Sequence, residues 1–248
     1  MLPSIIIEAD YEAMSRVAAE HVLRYVRRKP DSVICVATGA SPVGVYAELA
    51  KHREALAQVR ILKLDEWGGL AADDPATCDV YIRKHILEPW GLAADRSVGF
   101  LSTVPDPAAE CRRVQQLIRE LGGIDICVLG MGADGHIGLN YPAESLPAKA
   151  HVTDASTLRH AMLDAARGVV THGLTLGMTD VLHARHIVLV VSGGGKAQAL
   201  ARLVSGEIST QFPASLLWLH PEVTCVADQA AAAALSGLAG DTRHVRRQ

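Results

Sequence analysis

Short, uninterrupted apolar runs alternate along this chain with amphipathic stretches of about ten to twenty residues, the pattern of buried parallel strands covered by helices. The runs Ser4 to Glu8, Ser32 to Ala37, Val59 to Leu64, Ser97 to Leu101, Ile124 to Leu129, His186 to Val191 and Val223 to Ala227 are predicted strands. Between them, helices are predicted at about Tyr11 to Arg28, Pro42 to Ala55, Thr77 to Glu88, Pro107 to Leu121, Lys196 to Val204 and Gln229 to Leu238. Alternation of this kind predicts an α/β fold: a doubly wound, mainly parallel, Rossmann-like sheet with helices on both faces. In such sheets ligands bind beyond the carboxyl ends of the strands, so chemistry is expected just after the apolar runs. No Pro/Gly/Ser-rich linker and no internal repeat divides the chain, and residues 1–248 read as a single domain.

Composition narrows the function. Apolar residues make up 49% and Asp, Glu, Lys and Arg 21% of 248 residues, enough to bury a sizeable core. A net charge of −3 offers no overall basic field, so nucleic acid is not an expected partner, although His151, His160, His172, His183, His186 and His220 crowd the second half. There is no leader-like amino terminus and no apolar run of about 18 residues, so a cytoplasmic protein without a membrane partner is expected. Cys35, Cys127 and Cys225 lie in Val/Ile-rich runs without CxxC spacing and are expected to serve as small core hydrophobes.

Two strand-to-helix turns suit an anion. After Ala37 comes Thr38-Gly39-Ala40-Ser41-Pro42, where Gly39 permits a tight turn, Ser41 is placed to cap the helix and Pro42 to open it, leaving backbone N–H groups for a phosphate. After Val191 comes Ser192-Gly193-Gly194-Gly195-Lys196, which sets an ammonium beside free N–H groups. Neither matches GxxxxGK[ST], which argues against nucleotide hydrolysis. Each turn, taken alone, is also compatible with an ordinary loop.

Chemistry is expected from two further segments. Asp65-Glu66-Trp67 follows a strand, where a general base would be held, and burial beside Trp67 would raise a carboxyl pKa. Gly130-Met131-Gly132-Ala133-Asp134-Gly135-His136-Ile137-Gly138-Leu139-Asn140 follows the strand ending at Leu129. Its glycines permit close backbone approach, and Asp134 is near enough to orient or charge His136 for proton transfer to a sugar oxygen. The 11 histidines show neither HExxH nor a Cys/His zinc spacing, so no metal is expected.

Taken in order, Ala37 to Pro42, Lys63 to Trp67, Thr77-Cys78, Gly130 to Asn140, Gly173 to Gly177, Gly195-Lys196-Ala197 and Leu217 to His220 resemble the glucosamine-6-phosphate deaminase family over nearly the whole chain. Within it the chain resembles most the galactosamine-6-phosphate isomerase branch. The resemblance implies ring opening, an aldose-to-ketose proton transfer and loss of the C2 amine as ammonia, without a cofactor. It assigns ring opening to His136 oriented by Asp134, the C2 proton to Asp65, and the 6-phosphate of the sugar to Thr38, Gly39, Ala40, Ser41 and Lys196. Self-association into a homo-oligomer is compatible with everything in the sequence.

Two positions depart from the glucosamine pattern. Tyr141 stands where a glutamate precedes proline, so one carboxylate supporting the histidine is missing; Glu144 is a candidate replacement, and Glu66 a further candidate site residue. At Arg159-His160, His160 takes the place of a phosphate-binding arginine, as in the galactosamine branch. Besides a glucosamine-6-phosphate deaminase, two alternatives remain. The 6-phosphogluconolactonases share the Asp-Gly-His turn and an aromatic before proline, but Trp67 and Ile137 replace their arginine and threonine. A sugar-phosphate sensing domain of a regulator would carry a DNA-binding helix-turn-helix, and only about ten residues precede the first predicted helix.

Overall fold

The computed structural model describes residues 4–158, 163, 166, 169–237 and 245–247. Its strands are β1 (Ser4–Glu8), β2 (Val33–Val36), β3 (Arg60–Lys63), β4 (Asp65–Gly68), β5 (Ser97–Val98), β6 (Ile126–Gly130), β7 (His151–Asp154), β8 (His172–Thr175), β9 (His186–Val191), β10 (Val223–Asp228) and β11 (Val245–Arg247). Eight of them form a parallel sheet in the order β11-β1-β10-β9-β6-β2-β3-β5. All seven predicted apolar runs are in it.

Period-two alternation splits these strands between two cores. Ile34, Val36, Ile126, Val128, Val188, Val190 and Val226 face the helices Tyr11–Val26 and Ala40–Leu49. Cys35, Leu62, Cys127, Leu129, Ile187, Leu189, Val191 and Cys225 face the other side. Burial on both faces is why the runs are continuously apolar. Cys35, Cys127 and Cys225 are fully buried free thiols, as expected, and burial pushes Cys225 up to about 12.

Local chemistry sets the helix ends. The Asp10 carboxylate accepts from Ala13 N at 2.8 Å to start Tyr11–Val26, and Asp106 accepts from Ala109 N at 3.0 Å to start Pro107–Glu120. The predicted helix from Thr77 runs as Cys78–Ile82, a π turn Arg83–Leu87 and Glu88–Trp90.

Two expectations are corrected, and one feature is new. Residues 229–237 do not form an α-helix; the described segment ends in a 3₁₀ turn, Ala233–Gly237. The strand from Ser97 stops at Val98 because Gly99, at φ 139°, turns the chain where a Cβ would lie 2.9 Å from Lys63 Cβ. A second sheet, β4-β8-β7, is antiparallel and was not expected. The chain leaves the main sheet at Leu64, whose N–H still bonds Val36 O (3.2 Å) while its carbonyl accepts from Leu176 N (3.0 Å), and enters the small sheet at Asp65.

Candidate active site

A cavity of about 320 Å³ opens at the carboxyl ends of β2, β3, β6 and β9. It is lined by residues 37–42, Asp65, residues 130–132, His136, Gly138, Leu139, Tyr141 and Lys196. Most predicted site residues therefore meet: Thr38, Gly39, Ala40, Ser41, Asp65, His136, Tyr141 and Lys196 all reach its wall.

The first anion loop differs in detail from expectation. Gly39, at φ 120°, is itself the helix N-cap, so the helix Ala40–Leu49 begins before Ser41, and Ser41 caps nothing. Glycine's freedom at positive φ makes the earlier start available. Pro42 is tolerated because first-turn N–H groups have no helical acceptor. The Ser41 hydroxyl instead meets Ser192 Oγ at 2.9 Å, tying the two candidate phosphate loops together.

Sequence reasoning missed what holds the loop. Tyr46, Tyr81 and Tyr11 hydroxyls donate to the carbonyls of Ala37 (2.7 Å), Gly39 (2.7 Å) and Ala40 (2.8 Å). With those carbonyls occupied, the loop's remaining polarity is that of its N–H groups and of Thr38, which suits an anion. Gly44, where a Cβ would lie 2.3 Å from Ser15 Oγ, lets the Tyr11 helix approach. Tyrosines spaced far apart in sequence carry no local signal.

The second loop is pinned by Asp228 at the end of β10, whose two carboxylate oxygens accept from Gly193 N at 3.1 and 2.9 Å. Asp228 was not foreseen either. Lys196 caps the helix Ala197–Val204 and is half-buried; burial lowers its pKa, and Asp134 partly opposes this.

Asp134 and His136 form a pair across one glycine turn. Asp134 Oδ1 lies 2.6 Å from His136 Nδ1 and accepts from His136 N at 3.1 Å. Burial works to raise the Asp134 pKa, but the imidazolium charge and these hydrogen bonds outweigh it and the net shift is downward. An ionised Asp134 accepts, so Nδ1 donates and a neutral ring presents Nε2 as a base. Burial lowers the His136 pKa, Asp134 works against that, and Lys196 adds to it. The turn needs Gly132, because a Cβ there would lie 2.1 Å from His136 Nδ1. The Tyr141 ring packs against His136 with centroids 4.9 Å apart.

Asp65 stands at the corner between the two sheets. It is buried, and burial together with the neighbouring Glu66 charge raises its carboxyl pKa from 3.8 to about 7. The expected pKa rise at the Asp65-Glu66 pair thus falls on Asp65. Glu66 points the other way, accepting from Trp67 N (2.9 Å), Cys78 N (2.8 Å), Asp79 N (3.1 Å) and Lys63 Nζ (3.0 Å). It anchors the helix from Cys78 and lies off the cavity. Glu144 is exposed and off the cavity wall, its carbonyl accepting from Thr210 Oγ1. His160 lies outside the described residues. Among the described residues no three His, Cys, Asp or Glu side chains group to hold a metal ion, and no helix is long and apolar enough to cross a membrane.

The profile of the family "Glucosamine-6-phosphate isomerases/6-phosphogluconolactonase" matches residues 8–226. The chain belongs to that family. Among curated relatives, "Putative deaminase AgaI" of Escherichia coli (strain K12) is 43% identical over 223 residues, covering 88% of each chain. A glucosamine-6-phosphate deaminase of Streptomyces coelicolor is 39% identical, covering 97% of this chain and 95% of its own. The structure of a monomeric glucosamine-6-phosphate deaminase superposes with a TM-score of 0.83 at 34% identity, covering 92% of this chain and 99% of that one. The 6-phosphogluconolactonase of Trypanosoma cruzi, at 21% identity and a TM-score of 0.77, shares the fold.

Proposed function

We propose that this family member is a hexosamine-6-phosphate deaminase that isomerises its substrate as it releases ammonia, with galactosamine 6-phosphate converted to tagatose 6-phosphate. The observation that carries the reading is Asp65: a buried carboxyl with a pKa of about 7, on the wall of a cavity also lined by His136, which Asp134 holds, by the first anion loop and by Lys196 of the second. A base half ionised near pH 7 is matched to moving a carbon-bound proton.

The residues divide the work as follows. The Thr38–Ser41 loop and Lys196 hold the phosphate, and binding energy there orients the distant reacting carbons. His136 Nε2 takes the proton of the anomeric hydroxyl and returns it to the ring oxygen, opening the sugar. Asp65 then takes the C2 proton while the aldehyde oxygen takes a proton from the C2 ammonium, and Asp65 delivers its proton to C1, leaving a C2 iminium that water hydrolyses to the ketone and ammonium. No electrons enter or leave the couple.

The choice of the galacto epimer rests on the motif resemblance; the relative with 43% identity is called a deaminase without a stated sugar. A second reading, 6-phosphogluconolactone hydrolysis, is favoured by one residue, the aromatic Tyr141 before Pro142. The test compares ammonia release from galactosamine 6-phosphate and glucosamine 6-phosphate with hydrolysis of 6-phosphogluconolactone under one set of conditions. Ammonia release, fastest from the galacto sugar, is expected. Lactone hydrolysis without ammonia release would overturn the reading.

A further inference from the structure

Cys78 opens the helix Cys78–Ile82, and Thr77 caps it by accepting from Val80 N at 3.2 Å. The Cys78 N–H donates to Glu66 Oε1, so the residue next to Asp65 in sequence fixes the cysteine backbone. The thiol is fully buried and absent from the cavity wall. It nevertheless stands 3.7 Å from Asp65 Oδ1 and 3.7 Å from Thr38 Oγ1, between the base and the phosphate loop. Among the described residues it is the hydrogen-bond partner of the Asp65 carboxylate.

We propose that Cys78 is a positioning residue for proton transfer, its S–H donating to Asp65 Oδ1 so that Oδ2 is the oxygen offered to the substrate. The inference rests on the reading of Asp65 as the base. Burial keeps the thiol protonated, so towards a carboxylate it acts only as a donor. A donor stabilises the ionised form and thereby offsets part of the pKa rise that burial imposes on Asp65. It also selects one carboxylate rotamer in a site where, among the described residues, no other side chain hydrogen-bonds it. A cysteine serving only as apolar filler would do neither.

The two roles predict opposite rankings of variants. Cys78→Val fills the space without a donor, and Cys78→Ser keeps a donor in less volume. With the thiol as donor, the acid limb of the pH profile for ammonia release moves up by about 0.5 to 1 pH unit in Cys78→Val, the weak end of hydrogen bonds to charged groups. Turnover at pH 7 falls about two- to fivefold and recovers at pH 9, with KM within about twofold. Cys78→Ser should keep its acid limb within about 0.3 pH unit of the parent.

A ¹³C-carboxyl NMR titration of Asp65 reads the same shift without turnover. An unmoved Asp65 titration in Cys78→Val, or an upward shift of equal size in Cys78→Ser, would overturn the proposal. Cys78→Ala takes the place of the valine variant if the added methyl prevents folding. Asp65→Asn, assayed in parallel, separates the two readings: retained turnover there would refute Asp65 as base, whereas the titration tests the Cys78 contact alone.

Discussion

Replacing Asp65 by asparagine should abolish turnover and stabilise the protein at the same time. Its carboxyl rises from 3.8 to about 7 in the folded chain, through burial first and the Glu66 charge second. Below about pH 3.8 folded and unfolded forms are both protonated, and the group costs nothing. Between there and pH 7 the unfolded chain loses its proton while the folded one keeps it, so stability declines as pH rises. Above about pH 7 the whole penalty is present, about 4 kcal/mol at 1.36 kcal/mol per pH unit. Asparagine keeps the shape and removes the charge. That penalty already contains the thiol-to-carboxylate bond and the attraction of Lys63, both of which pull the pKa down; burying the asparagine amide without a partner offsets about 1–3 kcal/mol of it, so a net gain of about 1–3 kcal/mol is expected at pH 8. For a chain of this size that is about 2–4 °C of melting temperature per kcal/mol. Urea unfolding of both proteins at pH 8 and pH 4.5 reads the gain, which should nearly vanish at the lower pH. Ammonia release should fall by at least about 100-fold while phosphate-sugar binding persists. Equal stability at pH 8, a gain that ignores pH, or a rate near that of the parent would refute the reasoning.

Other outcomes follow from the same geometry. Lys196→Ala should weaken calorimetric binding of a 6-phosphate sugar by about 1.5–3 kcal/mol, and unchanged affinity would move the phosphate elsewhere. Gly132→Ala should cut turnover with little loss of phosphate affinity, because its Cβ would claim the space of His136 Nδ1; steady-state kinetics with binding separates the two. Tyr141→Glu should keep or increase ammonia release and raise the apparent pKa of the histidine in the pH profile, whereas in a lactonase it would bring no ammonia release. His21, whose pKa falls from 6.5 to about 4 by burial, Arg24 and His186, should destabilise the fold as pH drops from about 6.5 to 4. In His21→Leu, thermal melts over that range should decline less steeply.

The main sheet was legible because both of its faces are buried, which writes each strand as an apolar run, and because Asp and Gly punctuate the turns. The small sheet was not. β4 is Asp-Glu-Trp-Gly, β8 is His-Gly-Leu-Thr and β7 alternates over only four residues. Strands so short and polar are specified by their partners rather than by period. The site was readable where one loop holds its chemistry, as at Gly130 to Asn140. It was unreadable where function depends on distant support: Tyr11, Tyr46 and Tyr81 beneath the first anion loop, Asp228 beneath the second, and Cys78 beside Asp65. The Ser41 cap was misread because the sequence shows a favoured capping residue and hides the φ of the glycine before it.

The three tyrosine hydroxyls under the phosphate loop have a bearing on how the protein responds to acid and alkali. Burial pushes Tyr46 and Tyr81 well above the usual phenol range, so both remain donors in alkaline solution. The loop's backbone cannot titrate at all. Its frame is therefore deaf to proton concentration across the interval in which Asp65 and His136 change charge. The shape of that loop and the proton-moving groups then answer to separate controls, and what pH-dependence the anion grip has falls to Lys196 and to the phosphate itself.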